Sequence, residues 1–182
     1  TWTPYIDEQV FLITRNLVSL SQDETLKTYA KRNELIALTK DVLKEELTRH
    51  PRNTNTLYLA GRLSQELMSL DAKETANAEQ YYKQAIESSP KRQQMWYALA
   101  DLYYRTGRQP EALQIEKNVR DFDLEGGQNH WVYGISLFYR KGDKEAGAKE
   151  VIASQTVSHP YSLSPQEFEP LTEVAIYAKD EA

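Results

Sequence analysis

The sequence contains no cysteine, which excludes disulfides, thiolate zinc sites and cysteine nucleophiles. Seven glycines and seven prolines serve all 182 residues, so long irregular stretches are not expected. No apolar run approaches the roughly 18–20 residues that a membrane helix needs, and no apolar leader opens the chain. A start at Thr1 reads as a processed protein or a piece of a longer one. Excess positive charge is lacking too: 22 basic against 27 acidic residues give a net charge of -5, and no Lys/Arg run exceeds two residues. Phosphate backbones require a concentrated basic surface, so the balance disfavours nucleic acid as the main partner, although a local basic patch could survive this average.

What the sequence has is helical periodicity. Val10, Ile13, Leu17 and Leu20 step by three and four along one face. Ser21 and Glu24 form an S-x-x-E capping box, opening a polar helix expected to bury Leu35, Leu38 and Val42 and to stop before Pro51. A helix is expected over about 54–69. Asp71 and Glu74 read as the cap of another, which carries Ala78, Tyr82 and Ala85 and is closed by Pro90. Trp96, Leu99, Ala100 and Tyr103 mark a further stripe ended by Gly107. Pro110 suits the first turn of the next helix, with Ala112, Ile115, Val119 and Phe122 behind it. After the break at Glu125-Gly126-Gly127 come Trp131, Ile135 and Phe138, ended by Gly142, then a helix over about 144–156 that stops before His159-Pro160. Ser164-Pro165-Gln166-Glu167 opens a last helix with Phe168, Leu171, Ala175 and Ala178. No segment alternates as a strand would, so the fold class is all-α.

The chain also repeats itself. Trp96-Tyr97-Ala98-Leu99-Ala100 falls on Trp131-Val132-Tyr133-Gly134-Ile135 at an offset of 35 residues, and Tyr103-Tyr104-Arg105-Thr106-Gly107 falls on Phe138-Tyr139-Arg140-Lys141-Gly142 at the same offset. Two short antiparallel helices cannot bury their apolar faces alone, and stacking copies gives each face a neighbour. Large residues such as Trp96 and Trp131 then belong at equivalent packing sites between units. Small residues mark close helix approach, and a glycine ends the first helix where a left-handed residue is needed.

On these residues the chain resembles the tetratricopeptide repeat family. The stretch 93–126 fits best, through Trp96, Leu99, Ala100, Tyr103, Gly107 and Ala112. The stretch 54–92 supplies Leu57, Gly61, Ala78, Tyr82, Ala85 and Pro90. The stretch 128–160 supplies Trp131, Phe138, Gly142 and Ala146, with a one-residue slip after the glycine. Glu116 stands where the family prefers an aromatic, and Leu124 where it prefers proline. The resemblance implies a right-handed helical-hairpin solenoid: an N-terminal helical segment over 1–53 that is read as a degenerate repeat, three repeats over 54–160, and a capping helix within 161–182. A second resemblance rests on Lys91 to Ala100, Asn129-His130-Trp131 and Pro160-Tyr161-Ser162. These are similar to the soluble repeat tail of bacterial O-antigen-ligase or polymerase-like membrane proteins. It implies a periplasmic or extracytoplasmic location; without it the location is cytoplasmic.

Candidate chemistry is sparse. His50, His130 and His159 are far apart and lack metal-ligand spacing, and Asp71 with Glu74 is explained as a cap. No metal, cofactor or catalytic set is expected. In a stack of hairpins the first helices line a concave groove, and the positions left over from the core fall on Tyr58, Arg62, Gln65 and Glu66, then Gln94, Tyr97, Asp101, Tyr104 and Arg105, then Asn129, Ser136, Tyr139 and Arg140. Tyr and Arg recur there, and both are favoured at binding hot spots; the rival reading is that they solvate a helix or cover apolar surface. The family's carboxylate clamp, which uses Lys and Asn at these places, is not matched. The expectation is a non-catalytic scaffold with a protein or peptide in the groove. The alternative is an accessory domain of a glycan-assembly protein, with a glycan as ligand.

Overall fold

The computed structural model describes residues 32–180. The stripe Val10–Leu20 and the Ser21/Glu24 box lie outside the described residues. Among the described residues eight α-helices follow one another: α1 (Arg32–Arg49), α2 (Thr54–Leu67), α3 (Lys73–Ser88), α4 (Gln93–Arg105), α5 (Gln109–Phe122), α6 (Gly127–Ile135), α7 (Lys144–Thr156) and α8 (Phe168–Asp180). α6 runs directly into a π-helical segment, Ser136–Lys141, and a 3-10 turn, Pro165–Glu167, precedes α8. Among the described residues there is no strand, only one isolated parallel bridge between Gly126 and His159. The chain divides into two compact units, the first ending at Leu102 and the second beginning at Tyr103.

In the first unit α2 starts because the Asn53 side chain accepts from the amides of Asn55 and Thr56, at 3.1 and 3.2 Å. α2 and α3 pack as a hairpin. They meet closely at Gly61, where a Cβ would lie 2.5 Å from a ring carbon of Tyr82. The Tyr82 ring is fully buried and its hydroxyl donates to Gln65 at 2.8 Å. Leu59, Leu63 and Leu67 of α2 bury against Leu43 of α1, with Ile36 and Leu47 beside them. The face α1 uses is therefore one step round from the expected one. Leu35 and Leu38 are exposed and Val42 is half-buried, whereas Thr39, Leu43 and Glu46 are buried. The expected Asp71/Glu74 cap also divides. Ala72, not Asp71, holds the N-cap position of α3, and the Asp71 carboxylate accepts from the Lys73 amide from one residue before the cap; Glu74 is buried and paired with Lys40 of α1. Burial alone would raise the Glu74 pKa; hydrogen bonds from Lys40, Asn77 and Ser64 outweigh it and hold the carboxyl below its ordinary value.

In the second unit Trp131, Phe138, Ala148, Val151 and Val174 form the core of α6, α7 and α8, joined by Tyr161 and Tyr177. Gly142 ends the π-helical segment at φ 76° and Gly107 follows α4 at φ 75°, a left-handed conformation that favours glycine. The slip expected at Ala146 does not occur. Gly147, one full offset after Ala112, is buried, and a Cβ there would lie 2.7 Å from the Phe138 amide nitrogen. Trp96 and Trp131 are not equivalent in burial. Trp131 is 5% exposed, while Trp96 is half-buried, with its indole N–H donating to the Pro90 carbonyl at 2.9 Å. Ser164 and Glu167 make the expected capping box. The buried stripe of α8 then runs through Leu171, Val174 and Tyr177, leaving Phe168 and Ala175 exposed. Phe122, expected in the α5 stripe, is exposed as well.

Candidate functional site

In the second unit the sequence brings Tyr104 of α4, Glu116 of α5 and Arg140 of the π-helical segment together. Tyr104 points its hydroxyl at a buried carboxylate, donating to Glu116 Oε2 at 2.8 Å. The Arg140 guanidinium lies 4.0 Å from the centre of the Tyr104 ring, within cation–π range. Ser136, itself buried, hydrogen-bonds to both Tyr104 and Glu116. Burial pushes the Glu116 carboxyl up to about 7, although bonds from Tyr104 and Ser136 and the charge of Arg140 pull it down. Burial also raises the Tyr104 phenol above its ordinary range.

The neighbouring pair behaves differently. Tyr139 is 44% exposed, packs edge-on against Phe138 at 5.0 Å, and donates to Glu173 of α8 at 2.6 Å. Partial burial and that bond push its phenol up to about 12. Arg105 is exposed. Asn129 and Ser136, both expected to face a groove, are buried instead, because Asn129 bonds back to Asp123 and Ser136 joins the Glu116 cluster.

In the first unit Arg62 donates to the Tyr58 hydroxyl one helical turn earlier, at 3.2 Å, and both side chains are half-buried. Gln65, also expected in the groove, is 3% exposed; it accepts from Tyr82 and donates to Asp101 at 2.7 Å. Tyr97 is half-buried and Asp101 exposed.

Beside the Tyr104 cluster, α5 and the end of α6 with its π-helical segment bound an open groove of about 550 Å³. Leu113, Tyr133 and Leu137 supply its apolar surface, and Lys117, Arg140 and Lys141 its charge. Of these six, sequence reasoning picked out only Arg140. The signal for the others was a second-helix face, Leu113 and Lys117, opposite Tyr133 and Leu137 on the following first helix; attention to first helices alone passes over it. His130 is buried between Glu150 at 2.6 Å and the Leu124 carbonyl at 2.9 Å, where it ties α6 to α7 and the preceding loop. Among the described residues no three His, Asp or Glu side chains cluster as a metal site would require, and no helix is long and apolar enough to cross a membrane.

Residues 69–121 match the tetratricopeptide repeat family. That stretch contains the motif residues Trp96, Leu99, Ala100, Tyr103, Gly107 and Ala112, and with the all-helical hairpins it supports a tetratricopeptide-like helical repeat. Comparison with curated proteins gave no match. Neither comparison supports the O-antigen-ligase resemblance or a glycan partner.

Proposed function

We propose that this chain is a non-catalytic tetratricopeptide-type scaffold that binds a protein or peptide partner. The observation that carries the reading is the family match over 69–121. Helical-hairpin repeats present side chains from a rigid, buried core, so that a partner meets a preformed surface and little entropy is lost on binding. In the second unit the proposed contact residues are Tyr104, Arg105, Tyr139 and Arg140. Tyr gives a rigid amphipathic surface with few rotatable bonds, and Arg gives directional donors for carboxylates. The stacking of Arg140 on Tyr104 holds that guanidinium in place before a partner arrives. In the first unit Tyr58, Arg62, Tyr97 and Asp101 are proposed as contact residues on their own account. The reading extends to 54–160 as three repeats, flanked by the segments 1–53 and 161–182.

The test is a screen of the chain against immobilised peptide and glycan panels, repeated with Arg105→Ala/Arg140→Ala. Selective peptide capture that the double variant loses while keeping its melting temperature is the expected result. A folded double variant that binds the same peptides as well as the wild type would contradict the assignment, as would capture of glycans alone.

A further inference from the structure

Groove chemistry runs against the chemistry of the chain. The protein carries a net charge of -5, yet among the described residues that line the α5/α6 groove there are three cations and no Asp or Glu. Lys117, Arg140 and Lys141 supply the positive charge around apolar surface from Leu113, Tyr133 and Leu137. Lys117 is paired with Asp121 at 2.6 Å and Lys141 with Asp143 at 3.3 Å, both at exposed positions. Exposed pairs of this kind hold their partners weakly and can exchange them for an incoming carboxylate. Among the described residues no carboxylate lies at ion-pair distance from Arg140; its planar face is occupied by Tyr104, which leaves its edge donors as the groups best suited to bidentate recognition.

One wall is also built in an unusual way. Leu137, Arg140 and Lys141 all belong to the π-helical segment Ser136–Lys141. π-Helical turns are rare, have wider hydrogen-bonded rings than an α-helix, and occur disproportionately at functional sites. Here the segment brings one apolar and two cationic side chains to the same opening. A volume of about 550 Å³ is within the range of ligand-binding clefts.

We infer that this groove binds an extended segment of a partner protein in which carboxylates flank an apolar side chain, the apolar group seated against Leu113, Tyr133 and Leu137 and the carboxylates on Lys117, Arg140 and Lys141. The inference rests on the scaffold reading and names the partner chemistry of a surface that adjoins Arg140. It differs from a groove lined by first helices, because half of this one comes from α5, the second helix of its hairpin.

The experiment is selection of a random-peptide phage library on the full chain, followed by anisotropy titration of the enriched peptides, labelled, against the wild type and Lys117→Glu/Lys141→Glu. The milder Lys117→Gln/Lys141→Gln pair serves if charge reversal beside Asp121 and Asp143 impairs folding. Enriched peptides are expected to share an acidic–apolar–acidic pattern, to bind more weakly as salt rises, and to lose about tenfold in affinity in the lysine variants. Enrichment of basic or uncharged peptides, no enrichment, or affinity unchanged in a folded lysine variant would overturn the inference. So would a sulfated oligosaccharide binding as tightly as the peptides, since charge alone would then suffice. Peptides that keep their affinity in the lysine variants but lose it in Arg105→Ala, which changes no residue of the groove, would remove the groove as the site and leave the scaffold reading standing.

Discussion

At Glu116 a carboxyl group is held in the interior between Tyr104 and Ser136, and the desolvation that raises its pKa to about 7 has a thermodynamic consequence. The folded state holds the proton more tightly than the unfolded chain, so the stability this site contributes is complete below the ordinary value of 4.5 and is lost as pH rises towards and through about 7. A shift of this size corresponds to about 3 kcal/mol. The thermal midpoint of the wild type is expected to fall as the buffer is taken from mildly acidic to mildly alkaline, and Glu116→Gln is expected to flatten that slope. Equal slopes in the two proteins would contradict the burial assigned to this carboxyl. The sequence marked Glu116 only as a departure at an aromatic position. The identity of its partner was not legible, because a helix-face pattern gives the direction of a side chain and not what waits there.

The two tryptophans make the same point. Trp131 packs in a continuous apolar cluster with Tyr161 at 5.8 Å between ring centres, and Trp131→Ala is expected to cost about 3–5 kcal/mol. Trp96→Ala is expected to cost distinctly less, since that side chain is half-buried. Denaturant unfolding of both variants checks this ordering, and equal losses would contradict it. Their offset of 35 residues was legible as a shared backbone position; their unequal burial depends on long-range neighbours that no local period encodes.

Among the elements, helix ends were the most legible feature. Proline and glycine act through local backbone sterics, so α1, α3 and α7 stop where Pro51, Pro90 and His159-Pro160 led one to expect, and Gly107 and Gly142 both adopt the left-handed conformation. The buried face of α1 was read one step out of register, and that of α8 only in part: Leu171 and Ala178 pack on the core as expected, while Phe168 and Ala175 are exposed. In each, the apolar residues form too broad an arc for periodicity to choose between adjacent stripes, and the packed partner decides. The close approach of α2 and α3 is a firmer expectation. Gly61→Ala would place a methyl group 2.5 Å from the Tyr82 ring and is expected to destabilise the hairpin by about 1–3 kcal/mol as an overpacked site. A melting temperature equal to that of the wild type would show that the helices can separate there without loss. The π-helical segment had no signature in the sequence: Ser136–Lys141 reads as ordinary helix, with Leu137 and Phe138 buried as helix-face residues would be.

For the molecule as a whole, net charge speaks against one class of partner without describing the surface proposed to meet another. An average of -5 conceals a groove with three cations and no carboxylate, because composition sums over residues that folding separates. The Tyr-Arg recurrence at 104–105 and 139–140 was legible as a pattern, and the structure gives its members distinct settings: Tyr104 is bonded to Glu116 and faced by Arg140, and Tyr139 is bonded to Glu173. Partner binding in the second unit is proposed to be carried by these side chains. Hydrogen exchange on the full chain, with and without a saturating selected peptide, is the measurement that decides it. Slowed exchange concentrated at the end of α4, along the first half of α5 and through Tyr133–Lys141 is the predicted result, and protection confined to the segment 1–50 or to α7, with that surface unchanged, would contradict it.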